Sequence, residues 1–190
     1  MGRPKEFDPD LALEKAMEVF WRQGFDGTSV QDLVDHMGIN RGSLYDTFGD
    51  KKTLFMKVLD RYAEQQTTCG LVQALERPGP APKVLADTLK GMISCEDRKG
   101  CLMTNVAVEK AQHCGETAAR VAAGIARSEE AFHKLLKRGV DEGSFRADLQ
   151  PRAAARYLVT LVQGLVVMAK ANAPRTHLRD AVKVALSQLE

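Results

Sequence analysis

The sequence is poor in several features that would assign it to familiar classes. Aromatic residues make up only 6% of its 190 residues, while Ala and Leu are plentiful, which favours helices over a β-sandwich. Its cysteines, Cys69, Cys95, Cys101 and Cys114, are scattered without the paired spacing of a zinc site. In a reducing compartment they are most simply free thiols. The longest apolar stretch, Tyr157 to Ala169, is interrupted by Thr160, Gln163 and Gly164 and reads as too short to span a bilayer. No apolar run follows the opening Met1-Gly2-Arg3-Pro4-Lys5, so no secretory signal is expected and the cytoplasm is the expected compartment. There is no glycine-rich phosphate loop and no set of paired carboxylates, which argues against an enzyme, and no metal or cofactor is expected. Charge of one sign is lacking as well. Residues 1–66 carry nine basic and twelve acidic side chains, and residues 67–190 carry eighteen and thirteen, for a total of +2. A nucleic-acid role must therefore rest on where the basic residues sit.

What is present is helix punctuation. Apolar residues at 44% and charged residues at 27% describe an ordinary globular chain, long enough for one domain or a small domain plus a medium one. Asp8-Pro9 reads as an N-cap followed by proline at the first helical position. The helix after it carries Ala12, Ala16, Val19 and Phe20 on one face, and Gly24 ends it. Thr28 or Ser29 caps a short second helix with Val30, Leu33, Val34 and Met37 in one stripe, and Gly38 stops it. Asn40 caps a third helix containing Leu44, Tyr45 and Phe48. Gly49 breaks that one, and Asp50 caps a fourth that runs from Lys51 towards Gln66. Only Gly38-Ile39 separates the second helix from the cap of the third, which is the spacing of a helix-turn-helix with Ile39 as the plug. Short glycine turns also join helices in small domains that never meet DNA.

Arg77-Pro78-Gly79-Pro80-Ala81-Pro82 is the clearest break in the chain. Beyond it the expected helices are Lys83–Ser94, Cys101–Ala111, Glu116–Glu142, Pro151–Asn172 and Pro174–Leu189. The expectation is thus an all-α chain of about nine helices in three parts. Residues 1–50 form a three-helix unit with an N-terminal arm, 51–76 a connecting helix, and 77–190 a second helical unit.

Residues 7–62 resemble the N-terminal domain of the TetR family of bacterial transcriptional regulators. The resemblance is carried by Ala16-Met17-Glu18-Val19-Phe20, Gly24-Phe25-Asp26-Gly27-Thr28-Ser29-Val30 and Asp32-Leu33-Val34. It continues through Gly38-Ile39-Asn40-Arg41-Gly42-Ser43-Leu44-Tyr45 and Phe48-Gly49-Asp50-Lys51-Lys52-Thr53-Leu54-Phe55. It covers about a third of the chain. Gly100-Cys101-Leu102-Met103 with Asn105 is similar to a segment that many members carry later on. The resemblance implies a dimeric regulator, a repressor as a rule, that binds palindromic double-stranded operator DNA and answers to a small-molecule effector. In the family, residues matching Tyr45, Lys51 and Thr28 contact phosphate. A recognition helix reads bases through its N-terminal residues. Arg41 can take guanine bidentately, Gly42 lets the backbone approach, and Ser43 and Thr47 can bond a base edge or phosphate. Lys52 adds a second cation beside Lys51. Asp46 and Thr47 depart from the family pattern, which leaves the operator sequence open. The plainer readings are a core aromatic for Tyr45 and a solvated charge pair for the two lysines. Arg3, in Gly2-Arg3-Pro4, could enter a minor groove or belong to a disordered tail.

For the second half, the helix from Pro151 is apolar on nearly every side and the last helix has one apolar stripe. Leu158, Leu161, Val162, Leu165, Leu178, Val182, Ala185, Leu186 and Leu189 are the expected dimer residues, through a two-fold four-helix interface. A monomeric bundle would use the same residues as core. Met92, Cys101, Met103, Asn105, Val108, Phe132, Leu136, Gln163 and Val167 could line an effector cavity or serve as ordinary core, with a mostly apolar ligand as the default. Cys101, near a helix start with Arg98 and Lys99 close by, and within reach of Cys95, suggests an alternative: a thiol sensor of oxidants or electrophiles. A helical adaptor without a DNA role and a thiol enzyme using His113 beside Cys114 are the remaining classes.

Overall fold

Side-chain caps and glycines set the first half of the fold. A computed structural model describes residues 7–68, 70–94, 100–109 and 115–189. Helix α1 spans Pro9–Gln23, and the Asp8 carboxylate accepts from the amides of Asp10 (2.9 Å) and Leu11 (3.3 Å). Helix α2 spans Val30–Met37 and is capped by Ser29, not Thr28. Ser29 Oγ accepts from Asp32 N at 3.0 Å while Asp32 Oδ2 accepts from Ser29 N at 2.8 Å. The Ser29 hydroxyl and the Ser29 amide both donate to the Asp32 carboxylate and hold it below its ordinary range, because each such bond favours the charged form. Helix α3 spans Arg41–Phe48, with Asn40 Oδ1 accepting from Ser43 N at 2.8 Å. Helix α4 spans Lys51–Thr68, and Asp50 caps it by accepting from Thr53 N at 2.7 Å.

Between α2 and α3 the chain turns through Gly38, which sits in the left-handed region at φ 72° and so admits glycine far more readily than other residues. The amides of Gly38 and Ile39 both donate to Val34 O, at 3.0 and 3.2 Å, and Lys15 Nζ donates to Met37 O at 3.5 Å. The end of α2 is thereby closed by the chain's own donors. Leu33, Leu44, Leu54, Phe55, Val58 and Leu59 are fully buried in one core shared by α1 to α4. Burying side chains of this size stabilises by about 1.5–3 kcal/mol each. Phe55 stacks its edge on Phe20, with centroids 5.0 Å apart, and Trp21 does so on Tyr62 at 5.2 Å.

The second half adds α5 (Leu71–Leu75), α6 (Ala81–Ser94), α7 (Leu102–Glu109), α8 (Gly115–Asp141), α9 (Pro151–Lys170) and α10 (Arg175–Ser187). All ten elements among the described residues are helices. Two departures from the sequence expectation have simple causes. Helix α5 is one short turn-and-a-half that carries no periodicity to read. Helix α6 starts at Ala81, inside the proline-rich break, because Pro82 falls in its first turn, where the missing N–H is harmless. Leu85, Leu89, Phe132, Leu136, Ala155 and Leu158 centre a second core built from α5, α6, α8, α9 and α10. Helix α7 belongs to the first core instead. Its Leu102 and Val106 are buried with the α1–α4 residues although they lie in the second half of the chain.

Helix α9 corrects the expectation about length. It is 20 residues long, because the helix continues beyond the apolar run, through Pro151–Arg156 before it and Lys170 after it, and by length and composition alone it could cross a membrane. Ala155, Leu158, Val159, Val162 and Leu165 are buried in the second core, as in a helix of a folded bundle.

Candidate nucleic-acid interface and effector cavity

Helix α3 is held by two side chains and shows the rest. Leu44 and Phe48 are fully buried, while Arg41, Gly42, Tyr45 and Asp46 are exposed and Ser43 and Thr47 are half-buried. Tyr45 is 46% exposed, so it is not a core aromatic. The α3 C-terminus is tied down by Lys57, whose Nζ donates to Thr47 O at 3.3 Å and lies 5.6 Å from the Phe48 ring centroid. Lys57 carries no signal in the sequence, since a lysine on α4 gives no local sign that it reaches α3.

The flanking residues sit differently from expectation. Thr28 is buried, and its hydroxyl donates to Gly24 O at 2.6 Å while its amide donates to Phe25 O at 3.4 Å. The fold takes up both of its donors, so Thr28 tightens the α1–α2 turn and is not presented as a phosphate donor. Lys51 Nζ stands over the Phe25 ring at 4.4 Å, a favourable cation–π placement. Lys52 Nζ pairs with Glu116 Oε2 at 3.3 Å, across to α8. Both partners are largely exposed, and such a pair contributes about 1 kcal/mol or less, so phosphate can compete for this lysine. Arg3 lies outside the described residues.

Below this unit, a cavity of about 110 Å³ opens among α4, α5, α6, α7, α8 and α9. Of the expected lining residues it contains Met92, Cys101, Met103 and Gln163. Tyr62 and Gln66 of α4 join them, one helical turn apart, together with Ser128 of α8. Burial pushes the Tyr62 phenol well above its ordinary pKa, and the neighbouring Cys101 adds to this. Its hydroxyl donates to Cys101 Sγ at 3.4 Å. Thr104 Oγ1 donates to Gln163 Oε1, which links α7 to α9. The other expected lining residues lie elsewhere. Phe132 and Leu136 are fully buried in the second core, because the cavity meets α8 two turns earlier, near Gly124 and Ser128. Asn105, Val108 and Val167 face a separate cleft between α1, α7 and α9. Cys95, His113 and Cys114 fall outside the described residues, as do Arg98 and Lys99.

The expected dimer residues need the largest correction. Leu158, Val162, Leu165, Leu178, Val182, Ala185 and Leu189 are buried inside the single chain, and only Leu161 and Leu186 are partly open. Their stripe faces α6 and α8. The outward stripe of α9 is Tyr157, Leu161, Gly164 and Met168, spaced four, three and four residues apart. Tyr157 is 45% exposed, Met168 47% and Val184 of α10 57%. Nothing lies within 4 Å of the position where a Cβ on Gly164 would stand, so that point of the helix is open to close approach.

Comparison with known proteins places these features in a family. The model of bacterial regulatory proteins of the tetR family matches residues 12–58, and that of the tetracyclin repressor-like C-terminal domain matches residues 83–185. The HTH-type transcriptional regulator YezE of Bacillus subtilis is 37% identical over 195 aligned positions, covering 100% of both chains. The HTH-type transcriptional repressor ComR of Escherichia coli is 31% identical, covering 90% of this chain and 84% of its own. Among solved structures, a cysteine-substituted TetR family transcriptional regulator CifR, in complex with a 26-base-pair operator DNA, superposes with a TM-score of 0.87. It is 30% identical and covers 100% of both chains.

Proposed function

The chain belongs to the TetR family of bacterial transcriptional regulators, and from that premise we propose that it is a cytoplasmic repressor that binds a two-fold operator as a homodimer. Residues 1–50 are the DNA-binding domain, 51–76 the connecting segment that holds α4 and α5, and 77–190 the effector and dimerisation domain. The observation that carries this reading is α3: its N-terminal face, Arg41, Gly42 and Tyr45, stands clear of the protein while Leu44 and Phe48 lock it to the core. Arg41 reads a guanine, Ser43 and Thr47 bond a base edge or phosphate, and Tyr45, Lys51 and Lys52 hold phosphates. The dimer sets two α3 helices about 34–36 Å apart, one turn of DNA. The role is regulatory and not catalytic.

Release follows from a population shift. A small, mostly apolar molecule in the cavity favours a form whose recognition helices no longer match the half-site spacing. Helix α4, which begins at the DNA-binding unit and carries Tyr62 and Gln66 into the cavity, is the lever. Hydroxyl-radical footprinting of DNA upstream of the chain's own gene tests the reading. Two symmetric protected patches with centres about 10 base pairs apart, or a multiple of that, are expected. A single patch or none contradicts it.

A second reading is supported by Cys101, which lines the cavity and lies 3.4 Å from the Tyr62 hydroxyl. Modification of this thiol would fill the cavity covalently and work the same switch.

A further inference from the structure

Glu109 is the last residue of α7, and its carboxylate reaches into the DNA-binding unit. Oε1 accepts from Asp26 N at 2.8 Å and Oε2 from Phe25 N at 3.2 Å. One carboxylate thus holds both amides at the start of the α1–α2 turn, with charge-assisted bonds that are stronger than neutral ones. The seat is shaped for it. A Cβ added at Gly24 would stand 2.6 Å from Oε2, and Gly24 itself has φ +74°, so glycine alone leaves the carboxylate its place.

The turn that Glu109 grips governs the recognition unit. Phe25 packs on Phe55 with centroids 4.9 Å apart and lies beneath Lys51. Thr28 closes the turn on Gly24, and Ser29 caps α2, which carries α3 through the Gly38 bend. The other end of α7 belongs to the cavity. Cys101 and Met103 line it, and Thr104 is bonded to Gln163 of α9. Helix α7 has 8 residues and spans about 12 Å at 1.5 Å per residue. A rod so short does not bend between its ends.

We propose that Glu109 is a positioning residue that couples the cavity to the DNA-binding unit: filling the cavity tilts α7, draws the carboxylate off the Phe25 and Asp26 amides, and frees the α1–α2 turn. The proposal rests on the repressor reading. It adds a second connection beside α4, in which the Glu109 carboxylate joins the packing of Leu102 and Val106 against the first core.

The test uses linkage, since a coupling that carries ligand effects to DNA must carry DNA effects back to the cavity. The full chain is prepared with Cys69, Cys95 and Cys114 replaced by serine, so that Cys101 alone reacts with iodoacetamide. The alkylation rate is measured with and without operator DNA. With Glu109 present, DNA changes the rate by about fivefold or more, and Glu109→Ala reduces the change to under about twofold. Glu109→Gln, which keeps one acceptor oxygen, retains part of it. The alanine variant must still dimerise and melt in one transition, which sets coupling apart from loss of fold. Gly24→Ala, which crowds the carboxylate from the other side, weakens the response of the parent and adds less in the Glu109→Ala background. A full response in Glu109→Ala, or no response in the parent when it is bound to DNA, overturns the proposal. A parent that binds no DNA overturns the repressor reading itself.

Discussion

Replacing Tyr157 and Met168 with aspartate leaves a folded monomer whose operator binding is about a hundredfold weaker or worse. Both side chains stand on the open stripe of α9, exposed in the single chain, and Val184 of α10 is exposed as well. Burying two carboxylates in an apolar interface without partners costs several kcal/mol each, more than a two-fold interface of this kind can absorb. A monomer holds one half-site only, so affinity falls by about a hundredfold or more, given the span between specific and non-specific binding. Sedimentation velocity reads the mass and anisotropy reads the binding. The control is Leu158→Ala. Leu158 is fully buried in the chain's own core, so its truncation costs about 2–5 kcal/mol of stability with the dimer retained at low temperature. If instead Leu158→Ala dissociates the dimer while the aspartate variant stays dimeric, the interface has been placed on the wrong face.

Arg41→Ala removes sequence discrimination and leaves folding and dimerisation unchanged. The residue is exposed at the first position of α3, and a bidentate arginine–guanine pair contributes about 1–3 kcal/mol of discrimination per half-site. With two half-sites the expected drop in preference for operator over scrambled DNA is about 2–6 kcal/mol. Lys51→Ala should act differently. It weakens binding to both DNAs by a similar factor and lowers the salt slope by about one for each phosphate left without its lysine. Competition titrations at several salt concentrations separate the two patterns. A drop in affinity for both DNAs with Arg41→Ala would make that residue a phosphate ligand.

The first half of the fold is legible because its signals are local. Asp8, Ser29, Asn40 and Asp50 cap helices within three residues of themselves, and Gly38 marks a left-handed turn that its neighbours require. The exposed third helix can therefore be placed to the residue. The dimer face cannot. Helix α9 is apolar on nearly every side, and periodicity reveals a stripe without saying whether it turns towards α8 or towards solvent. The stripe of Leu158, Val162 and Leu165 turns inward. The cavity is half-legible for a similar reason. Phe132 and Leu136 have the right spacing, but only the packing of α8 decides that Gly124 and Ser128 meet the cavity instead. Nothing local shows that the Tyr62 hydroxyl finds Cys101, 39 residues further along the chain. Glu109 gives no signal at all. Its partners lie 83 and 84 residues away in the chain, and only a comparison of relatives for pairs changing with Gly24 could have pointed to it.

The measurement that bears most directly on the central claim is a fluorescence-anisotropy titration of the reduced protein against DNA flanking its own gene. It is run beside a scrambled fragment of equal length at two salt concentrations. The account predicts saturation at two chains per half-site pair, a preference for the native fragment of about a thousandfold or more, and affinity that falls steeply as salt rises. Equal binding to both fragments, or no binding to either, would contradict it and leave the chain a helical protein without an operator.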